Sequence, residues 1–387
     1  MVGFLEGGFM RIAFFTDTYL PTVDGVVFSI ESYRKEFERK GHEVFIFCPG
    51  TKQDKKKNKD QNVFYHTSTE FKPYPEYKLA IFPFSSITKI NKLKIDIIHC
   101  HALATMGLAG YLASKTMRIP NVATYHTMVS NATHYISDKK TVNKITKKAI
   151  WGYCKWYYNL FDKVTTPSGY VEKILKKHKI NAEVFPNGIN TKRFQYTDPK
   201  KIKRELGLEK NTIALHVGRL VKEKNIDLII NSAKTIEKKI PNIKFIFAGD
   251  GPAREYYEKR IKDKGVENLF MFLGMIDQKK LPPLYSSANV YMFPSRFDTQ
   301  GLVAVEAMAC GVPIIGIKNS AVQNIITQGE NGYLFNNTVE SFSKALINTV
   351  KFKTPLKNSR KTAEEYSKEK MAEKMLNLYK TLIENKK

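Results

Sequence analysis

The sequence is poor in acid and in cysteine. Its 387 residues hold 37 Asp and Glu against 63 Lys and Arg, a formal net charge of +26, and only four cysteines. Cys48, Cys100, Cys154 and Cys310 are widely spaced, with no CxxC and no His/Cys grouping at metal spacing. A disulfide framework or structural zinc is therefore not expected, and the thiols read as reduced core residues of a cytosolic protein. No run supplies the ~20 apolar residues that cross a bilayer. The N-terminus, MVGFLEGGFMRIAFF, has no basic region ahead of a long apolar core, so no signal peptide is expected. Residues 1 to 9, ahead of Met10, are expected to carry no function. No two aspartates stand two positions apart.

What is present is a globular composition, 42% hydrophobic, in a chain long enough for two domains. The positive charge favours anionic partners: nucleic acid, an anionic membrane surface or a phosphate-bearing substrate. A lysine-rich background filling solvated faces would give the same number. Lysines are spread along the whole chain apart from DKKKNKD at 54–60. That spread lacks the clustered basic face with stacking aromatics of a nucleic-acid binder, and none is expected as a partner.

From residue 10 short apolar runs alternate with amphipathic stretches: RIAFF (11–15), a helical 25–43, VFIFC (44–48), IDIIHC (95–100), NVATYH (121–126), KVTTPS (163–168) and AEVFPN (182–187). The rhythm restarts with TIALHVGRL (212–220), a helix at about 224–239, IKFIFAGDGP (243–252), FMFLG (270–274), VYMFP (290–294) and VPIIGI (312–317). Such alternation predicts parallel sheets covered by helices on both faces. The polar span 188–211, opening at the Asn187-Gly188 turn pair, reads as the linker. A long charged helix is predicted over roughly 358–386, burying a stripe of Tyr366, Met371, Met375, Leu378 and Leu382. The fold class is α/β, two doubly wound Rossmann-like domains facing a cleft. Their expected bounds are 10–187 and 188–364, with a C-terminal helix of about 365–387 packing back on the first. Ligands of such sheets bind at the C-terminal ends of the strands.

One stretch concentrates chemistry: VYMFPSRFDTQGLVAVEAMACGVPII, residues 290–315. A strand, a loop and a helix starting at Gly301 would aim the N–H groups of Gly301, Leu302 and Val303 at a ligand diphosphate. Gly301 lets that ligand approach the backbone. Asp298 can accept from sugar hydroxyls or simply cap the helix, whereas Glu306 is an acid in an otherwise apolar helix, placed to clamp a ribose diol. HVGRLVKEKN (216–225) offers Arg219 and Lys224 to neutralise a leaving diphosphate. VDGVV places Gly25 at a helix start, as an anion site or as relief of a tight turn. His126 ends a strand, and a lone histidine is more often a hydrogen-bonded structural residue than a catalyst.

These residues resemble the E-x7-E region of retaining glycosyltransferases of family 4, here as D-x7-E because Asp298 stands at the first acid. TDTYLPTVDGVVFSI (16–30), HVGRL, AGDGP (248–252), FMFLG and PNGIN (186–190) fit the same pattern along nearly the whole chain. The resemblance implies the GT-B fold and a hexose moved from a nucleotide diphosphate donor, UDP being expected. It assigns His126, Asp298, Arg219 and Lys224 to the reacting centre. His126, not His134, is placed at the donor sugar. Gly25, Gly251, Leu273, Gln300, Gly301, Leu302, Val303 and Glu306 go to the donor and its nucleotide. With no D-x-D pair, no metal and no cofactor are expected; basic side chains and helix N-termini would serve instead. No carboxylate announces itself as a nucleophile, which favours a same-face displacement assisted by the leaving phosphate. A pyridoxal-dependent phosphorylase would need a lysine context absent here.

The segment 141–163, TVNKITKKAIWGYCKWYYNLFDK, interleaves lysines with Trp151, Trp156, Tyr157, Tyr158 and Phe161. It reads either as a membrane-interface helix or as a helix packed into the first domain. The resemblance is nearest the branch that glucosylates diacylglycerol-type lipids. It implies a lipid acceptor and peripheral contact with an anionic membrane on its cytoplasmic face. A soluble sugar or polysaccharide acceptor is the alternative.

Overall fold

The computed structural model describes residues 8–22, 24–70, 78–81, 85–126, 128, 140–351 and 356–386. His134 and residues 1–7 lie outside them. The chain forms two compact units: one runs to Gly188 and regains the segment from Lys368 onward, and the other is Ile189–Ser367.

The first unit is built on strands β1 (Arg11–Phe15), β2 (Glu43–Gly50), β3 (Val63–Glu70), β4 (Lys78–Ala80), β5 (Ile97–Cys100), β6 (Asn121–Thr124), β7 (Lys163–Thr166) and β8 (Glu183–Val184). They lie in the order β4-β3-β2-β1-β5-β6-β7-β8, parallel except for β4 against β3. The second unit holds β9 (Thr212–Val217), β10 (Ile243–Ala248), β11 (Phe270–Gly274), β12 (Val290–Phe293), β13 (Ile314–Ile317) and β14 (Gly332–Phe335). Their order is β11-β10-β9-β12-β13-β14, all parallel. Each sheet is a doubly wound α/β sheet of the Rossmann type.

Both faces of each sheet are covered, which is why the strands read as unbroken apolar runs and not as alternating ones. In β1, Ala13 and Phe15 enter one core while Ile12 and Phe14 enter the other. In β9, Ala214 faces one core while Ile213 and Leu215 face the second.

Two expectations change at the unit boundary. The polar span 188–211 is not a free linker. It contributes Ile189, Phe194, Ile202 and Leu208 to a core of the second unit and holds a short helix, Lys200–Glu205. The long C-terminal helix is two helices, Leu356–Glu364 and Lys368–Glu384. They are separated where Ser367 forms a bridge with Ile189 and the Ile189 N–H donates to Tyr366 O at 2.8 Å. Backbone drafted into a strand-like bridge cannot also supply helical bonds. The final helix buries Ala372, Met375, Leu376 and Tyr379 in the first unit, with Lys368 paired to Glu36 at 2.6 Å. Tyr366 instead packs on the second unit.

Tyr379 is fully buried, edge-on to Phe37, with its hydroxyl on His99 Nδ1. Tyr379→Ala is expected to cost the first unit about 3–5 kcal/mol, the range of large-to-small aromatic truncations. Urea unfolding would measure it; a loss under ~1 kcal/mol would mean the helix contributes little to that core.

Candidate functional site

In the second unit the strand order reverses between β9 and β12: the chain leaves β9 towards β10 on one side and leaves β12 towards β13 on the other. Connections diverge there and leave a crevice at the C-terminal strand ends. The two connections carry most of the residues that the sequence singles out.

After β9 come Gly218, Arg219 and Leu220, then a short 3₁₀ turn, Lys222–Lys224. Asn225 follows with φ of 57°, and its amide donates to Pro294 O at 3.2 Å, just beyond β12. This left-handed residue therefore pins Lys224 beside the next loop. Lys224 Nζ meets Asp298 Oδ1 at 2.6 Å, with the two side chains 15% and 21% exposed. Burial opposes ionisation of Asp298, but the Lys224 ammonium outweighs it and the carboxyl lies below its usual range. Asp298 Oδ2 is buried and has no hydrogen-bond partner among the described residues. Arg219, in contrast, is exposed and has no carboxylate partner among them.

The sequence reading gave His216 no role. Its Nδ1 lies 3.1 Å from Met292 O, which can only accept, so Nδ1 carries the proton. Nε2 is then a bare lone pair, buried and without a partner among the described residues. Burial, followed by the nearby Lys224 charge, pushes this imidazole down to about 4, so it is neutral. A histidine inside the apolar run TIALHV was the available signal. Two buried acceptors, Asp298 Oδ2 and His216 Nε2, thus stand near one ammonium.

The helix Leu302–Ala309 begins at Gly301, which has φ of 78° and no side chain of its own with which to cap the first N–H groups. A Cβ on Gly301 would lie 2.8 Å from Val322 Cγ1 and 2.9 Å from the Phe293 ring. Glycine is required here by local packing and backbone angle, whatever approaches from outside. Gln300 is buried just ahead, and Leu302 and Val303 are half-buried. Glu306 sits one turn further along and accepts from the Tyr285 hydroxyl at 2.9 Å. Burial pushes its carboxyl up to about 7, against the lowering effects of Tyr285 and Arg193.

Other residues sit differently. A Cβ on Gly251 would lie 2.4 Å from Leu220 O, and one on Gly249 2.1 Å from Gly218 O. The AGDGP turn therefore packs directly on the backbone that carries Arg219, and its glycines permit that approach. Leu273 is half-buried near the end of edge strand β11, against the core beside β9.

In the first unit, Gly25 opens the helix Gly25–Arg39 with nothing within 4 Å of a would-be Cβ. No steric clash demands glycine there. The Val26 and Val27 N–H groups already donate to the Asp24 carboxylate, both at 2.8 Å. This helix start is therefore self-capped, unlike the one at Gly301. His126 lies just past β6, partly exposed, with Nε2 2.8 Å from His101 Nδ1. The segment 141–163 divides in two. Trp151, Cys154, Tyr157, Tyr158 and Phe161 enter the core. The helix Lys140–Tyr158 exposes Val142, Ile145, Tyr153 and Trp156 on one face, with Ile145 66% and Trp156 53% exposed. Lys144, Lys147, Lys148 and Lys155 are exposed on the same helix. Among the described residues, no three His, Cys, Asp or Glu side chains converge as a metal set, and no helix is long and apolar enough to cross a membrane.

Comparison with known proteins matches residues 23–193 to the model Glycosyltransferase Family 4 and residues 198–370 to Glycosyl transferases group 1. An alpha-monoglucosyldiacylglycerol synthase of Acholeplasma laidlawii is 32% identical over 98% of this chain and 99% of its own. One of Streptococcus pneumoniae is 30% identical over 84% of this chain and 75% of its own. Among solved structures, Anabaena HepE in complex with UDP superposes with a TM-score of 0.75 at 18% identity, covering 95% of this chain and 99% of that one.

Glu306 gives the site a pH signature. The folded carboxyl titrates near about 7, against 4.5 for the unperturbed group. Between those values the unfolded chain ionises Glu306 while the fold keeps its proton, so stability falls as pH rises and levels off above 7. Glu306→Gln should raise the melting temperature above wild type at pH 8 and match it near pH 4.5. An identical difference at both pH values would show that the fold does not hold this proton.

Proposed function

The chain belongs to the family 4 glycosyltransferases, enzymes of the GT-B fold, and from that premise we propose that it moves a hexose from a nucleotide diphosphate sugar, with UDP-glucose the expected donor, to a membrane glycerolipid. The observation that carries this reading is the pairing of opposite needs at the β9/β12 reversal. Asp298 Oδ2 and His216 Nε2 are buried acceptors waiting for O–H donors. Lys224 pairs with Asp298 there, the helix that starts at Gly301 follows on the same connection, and exposed Arg219 lies on the β9 connection with no carboxylate partner among the described residues. A ligand that offers hydroxyls at one end and phosphate oxygens at the other satisfies both sets.

In this reading Arg219, Lys224 and the N–H groups of Leu302 and Val303 hold the diphosphate. Asp298 accepts from sugar hydroxyls and Glu306 from the ribose diol, and the family resemblance assigns His126 to the sugar. The anomeric C–O bond to the diphosphate breaks as the acceptor oxygen bonds the same carbon from the same face. The acceptor proton passes to the departing phosphate oxygen, so no side-chain nucleophile and no metal takes part. The relatives support the outcome, since their names specify an alpha-glucosyl product on diacylglycerol.

The exposed face of Val142, Ile145, Tyr153 and Trp156, beside its lysines, supports peripheral docking on an anionic lipid surface. Apolar area and charge act together there, so binding should weaken with salt. In liposome sedimentation, Trp156→Ser is expected to reduce the bound fraction without lowering the melting temperature. Binding indifferent to both anionic lipid and salt would refute the docking face.

The decisive assay is nucleotide release from UDP- and GDP-sugars, with and without vesicles containing diacylglycerol. Release should need one UDP-sugar plus the vesicles, persist in EDTA, and give an alpha-linked product by NMR. Release that proceeds equally with soluble sugars would move the acceptor to the sugar or polysaccharide alternative. Arg219→Ala should lower kcat by about 10²–10³, as loss of one charge-stabilising donor does elsewhere.

A further inference from the structure

The first unit also has a reversal of strand order, between β1 and β5, and a stack of imidazoles fills it. His101 is the residue directly after β5. Its ring lies 4.0 Å, centroid to centroid, from that of His99 and 5.1 Å from that of His126. His99 is locked at both nitrogens, Nδ1 to the Tyr379 hydroxyl at 2.5 Å and Nε2 to Thr124 Oγ1 at 2.6 Å. Thr124 bonds onward to Thr165 Oγ1 at 2.6 Å. Phe14 stands edge-on to both His99 and His101. His99 and His101 are buried, and burial keeps them and His126 below the usual imidazole range, so the stack is neutral.

Between two neutral imidazoles, the 2.8 Å contact of His101 Nδ1 with His126 Nε2 contains a single proton. The other nitrogen of His101 decides who owns it. Nε2 is buried and has no partner among the described residues. A proton placed there would be an orphaned buried N–H, the rarer and costlier arrangement, whereas a bare lone pair leaves only an acceptor unmatched. The proton therefore belongs on His101 Nδ1, and His126 Nε2 accepts it. His126 must then carry its own proton on Nδ1.

We infer that His101 is a positioning residue that fixes His126 as the Nδ1–H tautomer, so that His126 offers a donor, never an acceptor, to a hydroxyl oxygen of the hexose. The role at the sugar rests on the function proposed above; the tautomer rests on the stack alone.

The test begins without substrate. Long-range proton–nitrogen NMR of protein labelled with 15N-histidine, with the His126 signals identified by their loss in His126→Gln, should show the Nδ1–H pattern at His126. An Nε2–H pattern overturns the assignment. Two variants then separate donation from bulk. His101→Phe keeps a ring in the stack and removes the donor, whereas His101→Asn can place an amide N–H where Nδ1 stood. The phenylalanine variant should release His126 to the Nε2–H form and lower kcat about 10²-fold, a typical penalty for a misaligned reacting group. Its donor KM should change less than about 3-fold, marking loss in the transition state and not in ground-state binding. The asparagine variant should keep the wild-type spectrum and most of kcat. Equal spectra and equal kcat in the two variants would overturn the positioning role. Should the phenylalanine variant not fold, the wild-type spectrum still decides. That spectrum needs no donor, so failure of the proposed donor or acceptor would leave it standing and is read separately.

Discussion

The molecule depends on one constraint of parallel sheets: every strand ends at the same edge, and only where the order reverses do neighbouring connections part. In the second unit that place lies between β9 and β12, and residues 74 positions apart are brought together there as the 2.6 Å pair of Lys224 and Asp298. The pair is not left to side-chain flexibility. Asn225 adopts a left-handed backbone conformation and bonds to Pro294 O, so the β9 connection is tied to the end of β12. On the other side the AGDGP turn packs on Gly218 and Leu220 through glycines whose missing side chains allow approach to 2.1 and 2.4 Å. One tie runs from the Asn225 side-chain amide to backbone and the other is backbone on backbone, so the short segment 218–224 is held at both ends.

Two acids eight positions apart end up in opposite charge states, and their neighbours explain it. Asp298 faces an ammonium and stays ionised although burial opposes it. Glu306 faces only the Tyr285 hydroxyl and a more distant Arg193, so burial wins and its proton is held up to about 7. Opposite environments for paired titratable groups are how one fold assigns different work to chemically similar side chains. Lys224 is neutralised by Asp298, so under the proposed function a diphosphate would have to compete for that ammonium, whereas exposed Arg219 has no carboxylate partner among the described residues.

Much of this was legible because the relevant sequence signals are contiguous. The strand–loop–helix of 290–315 puts Asp298, Gly301 and Glu306 on one connection, and the alternation of apolar runs gives both sheets. What was not legible depends on contacts distant in sequence. Nothing local says that Lys224 will pair with Asp298, or that Tyr285 will reach Glu306. Gly301 was read as room for a ligand, yet Phe293 and Val322 already exclude a side chain. The C-terminal helix was read as continuous, since Tyr366 and Ser367 carry no breaker. Their bridge to Ile189 is a tertiary demand that overrides helix propensity. The aromatic helix at 141–163 packs one face into the core, as one of its two readings required, while Val142, Ile145, Tyr153 and Trp156 stay exposed on the other.

The two units solve the reversal point with the same element, a neutral histidine at the end of a central strand. His216 donates from Nδ1 to Met292 O, and His101 donates from Nδ1 towards His126. Each is left with a buried Nε2 that has no partner among the described residues. A lysine or arginine in either place would bring a buried charge whose desolvation costs several kcal/mol, in a chain that already carries +26. A neutral imidazole gives direction without charge: one nitrogen is fixed by the fold and the other has its proton state dictated by the first. In each unit the histidine thus sets which neighbouring group gives a proton and which accepts one, without adding a charge at the strand end.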